Sequence, residues 1–101
     1  MQRAPLAGLA EKADQAAGFL KLIANEKRLL ILCQLATHRE MTVNALAEAI
    51  GLSQSASSQH LARLRDDGLV TFRREAQTLY YRVADVRATR ILETLRRVFC
   101  P

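Results

Sequence analysis

The sequence predicts a mainly α-helical fold with one small β-hairpin, in the order helix, helix, helix, helix, strand, strand, helix. Three observations predict it. Apolar residues recur three and four apart through most of the chain, the spacing of one helical face. Two short helical patterns meet at Gly51-Leu52-Ser53. Two β-type runs follow at once, Leu69–Arg74 and Thr78–Val83, joined by Glu75-Ala76-Gln77. Two helices joined by a three-residue turn with glycine form a helix-turn-helix, and the hairpin behind it makes it winged. Residues 1–101 are expected to form one domain, with the helix-turn-helix at about 43–67 and the wing at about 69–83.

Taken in order, Pro5 suits the first turn of a helix, where its missing N–H is not needed. Leu6, Leu9, Ala10, Ala13, Ala16, Ala17, Leu20, Ile23 and Ala24 then keep three-four spacing. This predicts an amphipathic first helix with an Ala-rich stripe. Asn25 breaks it and can cap the next. The second helix is expected from Glu26 to about Ala36. Leu29, Leu30, Leu32, Cys33, Leu35 and Ala36 make it apolar over a wide arc, so it reads as the central core helix with Cys33 buried. Thr37 to Glu40 reads as a loop.

The third helix is expected at about Val43 to Ile50, with Leu46, Ala47 and Ile50 on one face. Gly51 ends it, because glycine tolerates the left-handed conformation needed there. Ser53 can cap the fourth helix, about Gln54 to Asp67, by accepting a backbone N–H. There Leu61 and Leu64 face in, so Gln54, Ser55, Ser58, Gln59, Ala62 and Arg63 face out. A solvent helix usually carries Glu and Lys on that face. This one carries Gln and Ser near its N-terminus, where a recognition helix meets base edges. Gln can donate and accept at adenine, and Ser can bond several bases. A merely polar first turn is the alternative.

In the wing, Leu79, Tyr81 and Val83 alternate with Thr78, Tyr80 and Arg82, so one face packs and the other is exposed. Arg73 and Arg74 at its base suit phosphate, which adds affinity without sequence information. The last helix, about Asp85 to Phe99, carries Ala88, Ile91, Leu92, Leu95, Val98 and Phe99 as its stripe. A small winged core cannot bury the first and last helices completely. They are expected to pair with a second subunit, and a two-fold dimer sets two recognition helices about 34–36 Å apart on duplex DNA.

Composition agrees. Half of the 101 residues are hydrophobic, the net charge is +5, and twelve of the fifteen basic residues are Arg. Arg favours bidentate contact with phosphate or guanine. The longest apolar run, Leu29–Cys33, falls far short of the ~20 residues of a membrane helix. The start, MQRAPLAG, lacks an apolar signal core. A cytoplasmic protein with no membrane partner is expected. Two cysteines do not make a disulfide scaffold. No nucleophile-base set, phosphate loop or metal constellation points to an enzyme or a cofactor.

The stretch LAEAIGLSQSASSQHLARLRDDGLV, followed by RREAQTLYYRV, resembles the helix-turn-helix and wing of the ArsR/SmtB family of dimeric bacterial repressors. NEKRLLILCQL resembles its second helix. The likeness covers nearly the whole chain. It departs at Ser57, where relatives usually carry an apolar residue facing the core.

Many members of that family sense metals. A thiolate site on the recognition unit would need a Cys pair near Val43–Leu46, and none exists. A site on the last helix would need Asp and His at helical spacing; Asp85 is present without a His. His38 reads as a loop residue and His60 as a packing or hydrogen-bonding one. A chain with so few soft or nitrogen ligands is a poor zinc or arsenic sensor. The ILC of the second helix and the ending VFCP resemble instead the dithiol subgroup, the BigR, SqrR, YgaV and HlyU type. That resemblance implies a Cys33/Cys100 switch for reactive sulfur species, such as persulfides from hydrogen sulfide, or for oxidants. A thiolate attacks a sulfane sulfur and a second thiol resolves the product. Cationic groups favour the thiolate, and Arg96 and Arg97 lie within reach of Cys100, which makes Cys100 the first attacker. An HlyU-like redox-responsive activator or anti-silencer, and a metal-responsive repressor, are the alternatives.

Overall fold

A computed structural model describes residues 6–100. Five α-helices and one antiparallel hairpin follow in the expected order: α1 (Ala13–Ile23), α2 (Glu26–His38), α3 (Val43–Ile50), α4 (Gln54–Asp66), β1 (Val70–Glu75), β2 (Thr78–Val83) and α5 (Val86–Phe99). The fold is a mainly helical winged helix-turn-helix.

Most boundaries follow from caps. The Asn25 side-chain oxygen accepts N–H bonds from Lys27 and Arg28 (2.9 and 3.2 Å) and starts α2. Thr42 accepts from the Ala45 N–H (3.1 Å) and starts α3. Gly51, at φ 75° and ψ 32°, supplies the left-handed residue that ends α3. Ser53 accepts from the Ala56 N–H (3.0 Å) and starts α4, and Asp85 accepts from the Arg87 N–H (2.9 Å) and starts α5.

Two boundaries differ from expectation. The first helix does not run from Leu6. Gly8 stands at φ 87°, which no right-handed helix contains, so turns and a short 3-10 segment (Ala10–Lys12) precede α1. Pro5 lies outside the described residues. The second helix is longer than expected and takes in Thr37 and His38. The Thr37 hydroxyl donates to the Cys33 carbonyl (2.7 Å), so this polar residue stays inside the last turn. The helix then ends at Arg39, at φ 71° and ψ −52°. The Glu40 N–H donates to the His38 carbonyl (2.8 Å) across it, a γ-turn with a positive φ at its centre.

The hairpin pairs Val70 with Val83 through Glu75 with Thr78. Ala76, at φ 56°, makes the two-residue turn. Met41 adds a short third rung, exchanging both backbone bonds with Tyr81 (3.0 and 2.8 Å). The wing is thereby tied to the segment before α3.

The core centres on α2. Ile31, Leu32 and Leu35 are buried against Leu46 of α3, Leu61 and Leu64 of α4, Leu69, Val70 and Tyr81 of the wing, and Ala88 and Leu92 of α5. Phe19 and Ile23 of α1 complete it. The recognition helix is set against the wing by an aromatic stack: the Arg65 guanidinium lies 4.2 Å over the Phe72 ring, whose centroid is 5.2 Å from that of Tyr81. Ser57 is fully buried in α4, on the face that packs inward. Leu20 on α1, and Val98 and Phe99 at the end of α5, remain exposed.

Candidate functional site

Two sets of side chains stand out, and they occupy different parts of the fold. The first is the outer face of α4. Gln54, Ser55, Ser58, Gln59 and Arg63 are all exposed there, as the inward positions of Leu61 and Leu64 require. The first four occupy the N-terminal half of the helix, where backbone N–H groups and the helix dipole favour an anion such as phosphate. Arg28 and the half-buried His60 line a small pocket with Gln59 and Arg63. Arg28 is held there by donating to the Leu22 carbonyl (2.7 Å). Its link to the α4 face is tertiary, and no local pattern in the sequence announces it.

The two wing arginines differ. Arg74 is exposed and makes no hydrogen bond or ion pair among the described residues. Arg73 is engaged. Its Nε donates to both oxygens of Glu40 (3.1 and 3.0 Å), and its guanidinium lies 4.5 Å over the Tyr80 ring. The Glu40 carboxyl is held below its usual range, chiefly by the Arg73 hydrogen bond and then by the charges of Arg73, Arg82 and Arg39.

The second set is the dithiol. Cys33 and Cys100 line one apolar pocket of about 340 Å³ between α2 and the last turns of α5. Leu29, Leu92, Leu95 and Phe99 make its walls, and Arg96 is its cation. Leu29 and Cys33 are one helical turn apart, so both face α5. Cys33 is exposed, not buried as its apolar helix suggests. The core takes Ile31, Leu32 and Leu35, which leaves Cys33 on the flank facing α5. Its thiol is still pushed up in pKa, first by loss of water on that side and then by the nearby Cys100. Arg97 does not share the pocket. It donates to the Thr94 hydroxyl (3.3 Å), leaving Arg96 as the basic neighbour. The Cys100 N–H closes α5 by donating to the Arg96 carbonyl (2.8 Å), which fixes the backbone of the thiol to that turn.

Among the described residues, no group of three or more His, Cys, Asp or Glu side chains is placed to hold a metal ion. No helix there is long and apolar enough to cross a membrane.

Comparison with known proteins agrees with this fold. Residues 25–71 match the model of the bacterial regulatory protein arsR family. The chain is 45% identical over 96 residues to the HTH-type transcriptional regulator YgaV of Escherichia coli, covering 95% of this chain and 97% of that protein. The structure of HlyU from Vibrio cholerae, a transcriptional activator, superposes with a TM-score of 0.80 at 46% identity, covering 89% of this chain and 97% of that one. The transcriptional repressor BigR of Xylella fastidiosa superposes with a TM-score of 0.85 at 31% identity, over 100% and 99% of the two chains.

Proposed function

The chain belongs to the arsR family of bacterial regulatory proteins, and on that premise we propose that it is a dimeric, operator-binding repressor switched by its Cys33/Cys100 pair. Its relatives and its fold are those of transcriptional regulators, not of enzymes. The observation that carries the switch is the shared apolar pocket, which brings together two thiols that lie far apart along the chain.

The chemistry balances without a cofactor. A Cys100 thiolate attacks the outer sulfur of a persulfide RSSH, forms an S–S bond, and releases the thiol RSH. The Cys33 thiolate then attacks the Cys100 sulfur of that persulfide, closes a protein disulfide, and expels hydrogen sulfide. If a second RSSH first converts Cys33 to its own persulfide, the same closure yields a trisulfide and again expels hydrogen sulfide. Each step is thiol–disulfide exchange. A bridge between α2 and the end of α5 fixes α5 against the core. Through a dimer built on α1 and α5, it alters the separation of the two α4 helices. A shift of only about 1.4 kcal/mol in DNA binding is tenfold in affinity.

Reduced protein treated with a small organic persulfide tests this directly. Intact mass under non-reducing conditions is expected to show a disulfide or trisulfide in one chain, with parallel loss of a shifted operator band. Release of DNA while both cysteines keep their reduced mass would defeat the switch. The likeness to the activator HlyU favours one second reading: the same DNA binding and dithiol, with output as an activator that displaces a silencing protein. A promoter fusion in a deletion strain separates the two, since a repressor's loss raises transcription and an activator's loss lowers it.

A further inference from the structure

A second cleft, of about 740 Å³, opens where the C-terminal end of α2 meets the wing strands and α5. It shares no residue with the dithiol pocket, and no residue of α3 or α4 lines it. Arg39, Arg73 and Arg82 line it together with Glu40, and Ala36 and Val83 supply its apolar surface. Glu40 satisfies Arg73. Arg39 and Arg82 make no side-chain hydrogen bond or ion pair among the described residues, so two guanidinium charges stand in excess. The carboxylate of Glu40 sits against Arg73 and in the field of Arg82 and Arg39.

The backbone supplies an independent observation. Arg39 occupies the centre of the γ-turn at φ 71°. Glycine takes that conformation readily and a long side chain rarely does. Such residues persist where the surroundings require them and cluster at binding sites. Here the turn puts Arg39 on the cleft that Arg82 also lines.

We propose that this cleft binds a small organic phosphate. Its phosphoryl group would lie on Arg39 and Arg82, and its organic part on the apolar wall of Ala36 and Val83. Two unpaired guanidinium forks match a phosphoryl dianion, whereas a monocarboxylate would neutralise only one. The volume falls within the range of about 300–1,000 Å³ typical of small-molecule sites. A DNA backbone has no use for the apolar wall, and the cleft stands apart from the outer face of α4. The assignment is independent of the dithiol reading.

Calorimetric titration of the reduced full chain with phenyl phosphate, inorganic phosphate and phenol, at constant ionic strength, tests it. Phenyl phosphate is expected to bind once per chain and more tightly than inorganic phosphate, and phenol not to bind. Arg39→Gly and Arg82→Gln are each expected to weaken phenyl phosphate by about tenfold or more, the effect of losing a charge-assisted bond. Arg74→Ala, outside the cleft, is expected to leave it unchanged. Arg39→Gly suits the positive φ, so unfolding does not explain a loss in that variant. The proposal is overturned if no saturable binding occurs, if both variants bind as the parent does, or if inorganic phosphate binds as well as its ester. It also fails if both variants weaken random duplex DNA while phenyl phosphate does not bind, since the cleft is then a DNA-backbone contact.

Discussion

Arg73 of the wing is chelated by Glu40 from the turn behind α2, its Nε 3.1 and 3.0 Å from the two carboxylate oxygens. That carboxylate neutralises the charge the same guanidinium would otherwise bring to a phosphate. Glu40→Gln is therefore expected to strengthen binding to any duplex and to steepen its salt dependence by about one unit of log-log slope, as one more cation reaches phosphate. Band-shift titrations on random DNA at two salt concentrations measure both. Because the Glu40 carboxyl is held below its usual range, the tie contributes above the ordinary carboxylate pKa and is lost only as pH falls through the depressed value. Unchanged affinity and slope in Glu40→Gln would mean that Arg73 does not approach the DNA.

The outer face of α4 is expected to carry sequence discrimination. Gln59→Ala should lower operator affinity by about 1–3 kcal/mol, the worth of a bidentate base contact, and leave random DNA nearly unaffected. Arg74→Ala should weaken both alike and make the salt slope shallower by about one. Equal losses on operator and random DNA in Gln59→Ala would move that residue to the phosphate contacts.

For the dithiol, Cys33→Ser and Cys100→Ser are expected to bind operator as the parent does and to keep it after persulfide treatment. Alkylation should also separate the two thiols. Burial is the larger cause that raises the Cys33 pKa and it survives in the Cys100→Ser variant, so Cys33 there should react slowly at neutral pH and accelerate through a value above that of an ordinary thiol. A double serine variant that still releases DNA would assign sensing elsewhere.

Asp85 caps α5 and is also held by Arg87, 2.7 Å away. Removing the cap in Asp85→Ala should cost about 1 kcal/mol in chemical unfolding. The Asp85 carboxyl is lowered, first by the Arg87 side chain. Its contribution is thus present above the ordinary aspartate pKa and fades as pH falls through the lowered one. Asp85→Asn should keep most of the cap and lose that acid dependence. A parent and Asn variant with the same acid profile would contradict the ion pair.

Leu20 on α1 is 48% exposed in the single chain. If α1 and α5 form the dimer, Leu20→Glu should yield a folded monomer, or a dimer weakened by orders of magnitude, in sedimentation at micromolar concentration. A dimer as tight as the parent's would place the interface on another face.

The order of the elements and the outward face of α4 were legible because local chemistry dictates them. Asn25, Thr42, Ser53 and Asp85 are caps that act within three residues, and Gly51 needs no distant partner. What escaped the sequence depends on a partner far along the chain. The spacing around Leu6 matches a helix, yet Gly8 takes a positive φ. The Met41 rung exists only because Tyr81 lies opposite. Cys33 falls on an apolar helix, but three neighbours fill the core and turn it toward α5. Arg39, Arg73 and Arg82 come from separate stretches, and only the folded wing gathers them.

Ser57 is 0% exposed, and its hydroxyl finds no hydrogen-bond partner among the described residues. In the folded state that hydroxyl has given up water without replacement; when α4 lifts from the core, hydration is restored. The penalty thus falls on the closed form alone and lowers the free energy of opening this one helix. In native-state hydrogen exchange, the inner amides of α4 should open by sub-global excursions while those of α2 wait for whole-chain unfolding. Ser57→Ala should bring the two rates together. The helix proposed to meet a duplex is therefore one whose closed form carries an uncompensated polar group.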